Sequence, residues 1–259
     1  MHSTRQGSGK PLVLVHGLGS SLRTWDPVLP ALSARRTVIA VDLPGFGETP
    51  ALPGRTTFDT LAQALEEWLA AENLGEADLV GSSMGARLVM ELARRGHPGT
   101  AVALDPGGFW DDRQVKVFGA SVTASFALVR RIQPLLPALT ANPVGRTALL
   151  AQFSAAPWKL PKDLVLRELR GFTAAASPSL DDARRSLIHG SRQEGAPAGT
   201  LKGKVVIGWG RQDRVTVPGE SVTAVRKFPD ATLHWFDRCG HFPHWDQPER
   251  TVELISSVC

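Results

Sequence analysis

The chain has 259 residues, 42% of them hydrophobic, and a formal net charge of +4. A chain of this length can bury one substantial core, and so small a charge argues against a nucleic-acid partner. No stretch approaches the roughly 18 apolar residues that span a bilayer, and the first residues lack the apolar segment of a signal peptide. The two cysteines, Cys239 and Cys259, make no disulfide framework. The sequence therefore predicts a cytoplasmic protein with no membrane partner.

Six apolar runs predict buried strands, and most of them end in a loop that contains glycine or aspartate. In chain order they are residues 11–19, where the strand runs into a glycine-rich turn, and then 36–41, 78–80, 100–104, 204–209 and 231–236. Amphipathic helical patterns alternate with them, near residues 24–34, 58–72, 84–95, 219–228 and 248–258. Strands that are apolar along their length and alternate with helices indicate an α/β protein whose parallel sheet is covered on both faces.

The run at 78–80 leads into residues 81–85, Gly-Ser-Ser-Met-Gly, which open a helical pattern. A strand–turn–helix of this kind holds the apical serine clear of the backbone, where a base and free N–H groups can reach it. The two glycines allow the turn, because a Cβ at either place would collide with the neighbouring strand or helix. Ser82 is a rival nucleophile, but the spacing of the glycines places Ser83 at the apex. Ser83 could otherwise be an ordinary helix N-cap.

Two later strand ends supply a candidate acid and a candidate base. Asp213 follows the run at 204–209, and His241 follows the run at 231–236 after a glycine. Asp105 competes for the role of acid, because it too ends a strand, although the Pro-Gly-Gly after it is typical of a turn. His244, three residues after His241, competes for the role of base.

Five signatures in register resemble the alpha/beta-hydrolase superfamily. They are residues 16–19, His-Gly-Leu-Gly; residues 42–47, Asp-Leu-Pro-Gly-Phe-Gly; the pentapeptide at 81–85; the loop at Asp213; and the Gly240-His241 loop. The resemblance implies an alpha/beta-hydrolase fold, with a mostly parallel sheet of about six or seven strands, helices on both faces and an inserted helical cap. Because only ten residues precede Pro11, we expect the first of the two usual N-terminal strands to be missing and the second to be a stub.

The resemblance also implies a role for each candidate residue. Ser83 would attack a carbonyl carbon, and His241 would take its proton and return it to the leaving group. Asp213 would hold the imidazole in the correct tautomer. The backbone N–H groups of Leu18 and Met84 would form the oxyanion hole. His16 and Asp42 match family positions that are expected to be structural.

Strand patterns stop between residues 109 and 199, and the resemblance implies that this block is a helical lid over a core of residues 1–108 and 200–259. Proline-separated helices are predicted at 113–132, 144–153, 163–175 and 180–193. Seven aromatic side chains in the block could line an apolar pocket or simply fill a core: Phe109, Trp110, Phe118, Phe126, Phe153, Trp158 and Phe172. Residues 109–200 hold 12 Lys and Arg against 7 Asp and Glu, which indicates a solvated surface or a lid that attracts anionic substrates.

The resulting prediction is a serine hydrolase that cleaves a small-to-medium carboxylic ester or related acyl compound through an acyl-enzyme on Ser83. A carbon–carbon bond hydrolase of a vinylogous diketone is the alternative, although Phe242 stands where those enzymes have tryptophan. A hydrolase-like ligand receptor and an acyltransferase also remain open. An epoxide hydrolase is excluded by Ser83 and by the lack of tyrosine. The expected partner is a small-molecule acyl substrate, and the motifs predict no cofactor and no metal.

Overall fold

The computed structural model describes residues 1–174 and 178–259. Within these residues, seven strands form one sheet in the order β1-β3-β2-β4-β5-β6-β7. Their bounds are Ser3–Gln6 (β1), Pro11–Val15 (β2), Thr37–Val41 (β3), Asp78–Ser82 (β4), Ala101–Leu104 (β5), Val205–Gly210 (β6) and Thr232–Phe236 (β7). All neighbouring strands in this sheet pair in parallel except β1 and β3. The mostly parallel sheet of six or seven strands is therefore confirmed, and β1 is the antiparallel N-terminal stub.

Helices cover both faces of the sheet. Outside the segment between β5 and β6 they are Leu29–Ser33 (α1), Phe58–Ala71 (α2), Met84–Arg94 (α3), Glu220–Lys227 (α9), Pro243–Asp246 (α10) and Pro248–Val258 (α11). Side chains alternate between two cores along each strand, as the pleat requires. In β2, for example, Leu12 and Leu14 belong to one core, whereas Val13 and Val15 belong to the other. No helix in the described part of the chain combines the length and apolarity that membrane crossing needs.

In the part of the chain that the structure describes, five further α-helices lie between β5 and β6, and we call residues 112–189 the helical segment. Its helices are Asp112–Arg131 (α4), Leu136–Ala141 (α5), Pro143–Leu150 (α6), Lys162–Ala174 (α7) and Pro178–His189 (α8). The predicted helix over 163–175 reaches residue 175, which lies outside the described residues. The predicted helix over 180–193 ends earlier than expected, at His189.

Helix α5 is absent from the sequence-based prediction, which placed no helix between residues 132 and 144. The prolines of this region lie at helix starts: Pro137 and Pro143 occupy the first positions of α5 and α6. Pro178 likewise begins α8. The first turn of a helix has backbone N–H groups without intrahelical partners, so a residue that lacks an N–H costs nothing there.

A buried ion pair fixes the start of β4, the strand that leads to Ser83. The Asp78 carboxylate is fully buried and accepts hydrogen bonds from Lys10 Nζ at 2.9 Å, Arg36 Nη2 at 2.6 Å and the Thr100 backbone N–H at 2.9 Å. Burial by itself would raise the pKa of Asp78, but these hydrogen bonds outweigh it and hold the pKa below its ordinary value. Asp78 thus connects the start of β4 to the residues immediately before β2, β3 and β5.

We expect Asp78→Asn to lower the free energy of unfolding at pH 7 by about 3 kcal/mol, because it leaves a partly buried guanidinium without its counter-charge. Urea titration measures this difference. The pKa of Asp78 is lower in the folded state than in the unfolded state. The stabilisation by its carboxylate is therefore complete above the unfolded-state pKa of about 4, and it is lost as pH falls through the folded-state pKa. The difference in unfolding free energy between the unaltered protein and Asp78→Asn should therefore become smaller at acid pH.

The matched control is Glu253→Ala, which removes an ion pair with Arg250 whose two side chains are exposed. Exposed pairs contribute little, so its unfolding free energy should change by less than about 1 kcal/mol. If the two variants lose the same free energy of unfolding, the burial of Asp78 does not determine how much it stabilises the fold.

Candidate active site

Ser83 lies in a sharp turn between the end of β4 and the start of α3. Its backbone φ is 56°, in the left-handed region that residues other than glycine rarely adopt. A Cβ on Gly85 would lie 2.2 Å from the carbonyl oxygen of Val15, and one on Gly81 would lie 2.2 Å from that of Gly85. Both glycines are therefore required, as the sequence predicted. The Ser83 side chain does not cap α3, so its hydroxyl is available to another partner.

That partner is His241, which also contacts Asp213. Ser83 Oγ lies 2.9 Å from His241 Nε2, and His241 Nδ1 lies 2.8 Å from Asp213 Oδ2. A neutral imidazole that carries its proton on Nδ1 donates to the carboxylate and accepts from the serine hydroxyl. His241 and Asp213 are both buried. The structure thus brings together three residues that follow β4, β6 and β7, in the order a proton relay needs.

Three donors hold the Asp213 carboxylate in place. The backbone N–H groups of Val215 and Thr216 donate to Oδ1 at 2.7 and 3.1 Å, and Thr216 Oγ1 donates to Oδ2 at 2.7 Å. These bonds fix the plane of the carboxylate, so that Oδ2 faces the imidazole.

Asp105, the competing acid, lies beside Asp213 without taking its place. Asp105 Oδ1 accepts a hydrogen bond from the Gly210 backbone N–H at 2.8 Å. Its complete burial, and then the negative charge of Asp213, raise the pKa of Asp105 well above its usual value, so the neutral acid is favoured. Ligand atoms of Asp105, Asp213 and His241 lie within 4.8 Å of one another. A cation placed among them would compete with the hydrogen bond between His241 and Asp213.

His244 is separated from the nucleophile. Its Nε2 lies 3.2 Å from Thr24 Oγ1, and its ring centroid lies 4.5 Å from that of Trp25. Burial, and then the proximity of His241, lower the pKa of His244 to about 3, so its ring is neutral. His241 is therefore the histidine that faces Ser83.

His16 and Asp42 connect the loops beside the site. The His16 Nδ1–H donates to the Gly17 carbonyl at 2.7 Å, and Nε2 accepts from the Leu43 backbone N–H at 3.0 Å. Burial lowers the pKa of His16, which keeps the ring neutral and able to accept at one nitrogen while it donates at the other. Asp42 accepts from the Leu22 backbone N–H at 2.7 Å. Both residues make the structural contacts expected of them.

The loop that carries Leu18 closely approaches the nucleophile. A Cβ on Gly17 would lie 3.2 Å from Ser83 Cβ, and Leu18 lines the same cavity as Ser83. Met84 begins α3, where backbone N–H groups lack intrahelical partners. The arrangement is compatible with the predicted oxyanion hole, and the roles of the Leu18 and Met84 N–H groups stay a prediction.

Ser83 and His241 open on a pocket with mainly apolar walls. Its aromatic lining consists of Phe118, Phe126, Phe153, Phe172, Phe242 and Trp245. The first four come from the helical segment and are among the seven aromatic residues singled out from the sequence. The other three are placed elsewhere: Phe109 and Trp110 pack in the core, and Trp158 is largely exposed.

Glu168 also lines this pocket and was missed by the sequence analysis. It is 4% exposed, and its Oε2 accepts a hydrogen bond from Ser20 Oγ at 2.7 Å. Burial raises the pKa of Glu168 to about 7. A signal was present in the sequence, because Glu168 shares a helical face with Val165, Leu169 and Phe172, which are all buried. A carboxylate within an apolar stripe is unusual.

A second missed residue, Asp246, holds the loop that carries His241. Asp246 Oδ2 accepts from the backbone N–H groups of Gly240 at 2.7 Å and Ala155 at 2.8 Å. The His241 backbone N–H donates to the carbonyl of Phe153 at 2.8 Å. Residues 153–155 of the helical segment thus fix the position of the histidine. The sequence around Asp246 carries no motif that predicts these contacts.

The chain matches the model of the family described as the alpha/beta hydrolase family over residues 12–254. It belongs to the alpha/beta hydrolase family. This hydrolase is 29% identical to 2-hydroxy-6-oxo-2,4-heptadienoate hydrolase of Pseudomonas putida, over 96% of this chain and 89% of that protein. It is 28% identical to 2-hydroxymuconate semialdehyde hydrolase of Pseudomonas sp., over 97% and 86%. An esterase from Exiguobacterium antarcticum shares the fold, with a TM-score of 0.79, 18% identity and coverage of 99% and 94%.

In this hydrolase, Asp246→Asn should lower kcat by roughly 10- to 100-fold, because a displaced base costs about that much even when every reacting group is present. The asparagine oxygen can still accept from Gly240 and Ala155, but without a negative charge it holds them less firmly, and its NH2 group meets the Ser154 hydroxyl, which donates to Asp246 Oδ1 in this structure and would have to turn. Steady-state turnover of a p-nitrophenyl ester, with circular dichroism as the test of folding, measures the effect.

Glu249→Gln is the matched control, because Glu249 is an exposed acid in the neighbouring helix α11. Its turnover should match that of the unaltered protein. If Asp246→Asn also leaves kcat unchanged, the contacts of Asp246 do not position His241.

Proposed function

We propose that the protein is a serine hydrolase that cleaves a small-to-medium carboxylic ester through an acyl-enzyme on Ser83. The observation that carries the proposal is the hydrogen-bonded chain from Ser83 through His241 to Asp213, which opens on an apolar pocket. We propose further that residues 109–199 act as a lid over a core of residues 1–108 and 200–259. Helices α4, α7 and α8 of the helical segment contribute pocket residues, which supports this division.

The reaction proceeds in two steps. Ser83 Oγ attacks the ester carbonyl as its proton passes to His241 Nε2, and the backbone N–H groups of Leu18 and Met84 stabilise the oxyanion. Collapse of this intermediate breaks the bond to the alkoxy oxygen, which takes the proton from His241 and leaves as the alcohol. Water then attacks the acyl-enzyme, His241 removes its proton and returns it to Ser83, and the carboxylic acid is released. Asp213 stabilises the imidazolium in both steps.

Carbon–carbon bond hydrolysis is the second candidate, and the names of the two relatives favour it. The dienoate in the name of the Pseudomonas putida relative denotes a carboxylate-bearing substrate. In the described part of the present chain, however, the only carboxylate that lines the pocket is Glu168, and no Lys or Arg lines it. A buried anion would repel a carboxylate placed nearby. The pocket lining therefore argues against the anionic substrate that was one interpretation of the lid charge, and it is better suited to an ester without a negative charge.

Ser83→Ala should lower kcat for p-nitrophenyl butyrate by roughly 10⁴-fold or more, because the variant lacks the attacking oxygen. Initial rates of p-nitrophenolate release measure the loss. An aryl fluorophosphonate should add one phosphonyl group to the unaltered protein, on Ser83 by peptide mass spectrometry.

Ser82→Ala tests the rival serine and should still be labelled on Ser83. Labelling that survives in Ser83→Ala, or p-nitrophenyl ester turnover that survives there, would remove Ser83 from the role of nucleophile.

The two candidate reactions can be ranked directly. We expect kcat/KM for 2-hydroxy-6-oxo-2,4-heptadienoate to be lower than for p-nitrophenyl butyrate by roughly tenfold or more, because the pocket offers this anion no positive side chain. Loss of the dienolate absorbance and release of p-nitrophenolate give the two values. If the diketone is cleaved faster, carbon–carbon hydrolysis becomes the main activity.

A further inference from the structure

Glu168 is a charged side chain that the proposed reaction does not use, although it lines the same pocket as Ser83 and His241. It projects from α7 and is 96% buried, since 4% of its surface is exposed. Its Oε2 accepts from the Ser20 hydroxyl, and among the described residues its Oε1 has no hydrogen-bond partner. A buried carboxyl oxygen without a donor costs free energy that a bound donor or cation would recover.

The neighbouring guanidinium of Arg167 does not meet this need. Arg167 Nε lies 3.9 Å from Glu168 Oε1, too far for a hydrogen bond. The Arg167 guanidinium instead pairs with Asp26 at 3.1 Å and donates to the Arg23 carbonyl at 2.9 Å. Arg167 lines an outer cleft next to the pocket, and Glu168 and Ser20 line both the cleft and the pocket. Glu168 therefore faces the pocket without a tight ion-pair partner of its own.

The remaining walls of the pocket are suited to a cation. Six aromatic rings line it, and several of them contact one another: Phe126 and Phe172 have centroids 4.9 Å apart, and Phe242 and Trp245 have centroids 4.1 Å apart. Aromatic rings attract alkylammonium groups through the negative potential of their faces, and they do so most strongly where water is excluded. A buried acid surrounded by aromatic rings is the combination that recognises a methylated ammonium.

We propose that this pocket selects esters that carry an alkylammonium group, with Glu168 as the counter-charge and the aromatic rings as the surrounding wall. The inference deepens the proposed function and rests on it, because it names the substrate class of the same site. In this arrangement the cation lies near Glu168 and Ser20, while the ester carbonyl lies at Ser83. Glu168 is a specificity residue and takes no part in bond breaking.

The preference for a cation should depend on pH. The pKa of Glu168 is raised to about 7, chiefly by burial, with Asp26 raising it further and Ser20 and Arg167 opposing the rise. Below that pH the neutral acid has no charge to offer, and above it the carboxylate does. The other charged or titratable side chains near Glu168 are Arg170, which lines the outer cleft, and His241 in the pocket.

The test compares two esters of the same shape, butyrylcholine and 3,3-dimethylbutyl butyrate, which differ in a quaternary nitrogen in place of a carbon. The quantity measured is the ratio of their kcat/KM values from pH 6 to 8.5, by titration of the released acid. Effects of pH on the bond-breaking steps that the two esters share divide out of this ratio. For the unaltered protein we expect the ratio to exceed one and to rise by roughly tenfold as pH increases through 7.

In Glu168→Gln the ratio should fall towards one and lose its dependence on pH. Asp163→Asn is the matched control, because it removes the same charge from an exposed position of the same helix, and it should keep the behaviour of the unaltered protein. Tetramethylammonium should inhibit p-nitrophenyl butyrate hydrolysis competitively, and more strongly at pH 8.5 than at pH 6. This last measurement needs no variant.

The outcomes separate the two proposals. A ratio at or below one in the unaltered protein, a ratio that does not change with pH, or equal ratios in Glu168→Gln and Asp163→Asn would overturn the alkylammonium inference and leave ester hydrolysis standing. If the folded, unaltered protein hydrolyses neither ester and no p-nitrophenyl butyrate, the proposed function itself fails. If Glu168→Gln does not fold, the pH dependence of the unaltered protein and its inhibition by tetramethylammonium decide the matter.

Discussion

The backbone turn at Ser83 is the constraint on which the site depends. A non-glycine residue held at a φ of 56° carries strain of about 1–2 kcal/mol, which persists only where the surroundings determine the conformation. Here β4 is hydrogen-bonded on both sides within the sheet, and α3 leaves the turn directly over β2, close enough that only glycine fits at position 85. The turn lifts the hydroxyl out of the helix and points it towards His241.

The other two residues of the site, Asp213 and His241, lie on loops outside the sheet that hydrogen bonds hold in place. Asp213 depends on three donors from the two residues that follow Arg214. His241 depends on the backbone of residues 153–155 and on Asp246. The sheet therefore fixes Ser83, while the helical segment helps to fix His241. Both parts of the molecule must be in place before Ser83, His241 and Asp213 form their hydrogen-bonded chain.

The sequence was sufficient for the parts of this structure that rest on local rules. The six parallel strands are apolar along their length, and their predicted positions agree with β2 to β7 to within a few residues. The geometry at Ser83 follows from the glycines beside it. Helix α5 was missed because proline has opposite effects at the start and in the middle of a helix. Asp246 was missed because Ala155, one of its two backbone donors, lies 91 residues away, and no local pattern records such a contact. The apolar stripe around Glu168 is local, but its partner Ser20 lies 148 residues away and could not be predicted.

The carbonyl of Phe153 has an evolutionary consequence. It accepts from the backbone N–H of His241, while the ring of the same residue lines the pocket. One position thus holds the His241 loop through its main chain and forms part of the pocket wall through its side chain. A change of side chain would alter the wall and leave the backbone hydrogen bond available, whereas a change in the path of the main chain would remove it. Recombination that exchanged the helices of this family member would preserve the position of His241 only where the incoming segment kept that path beside it.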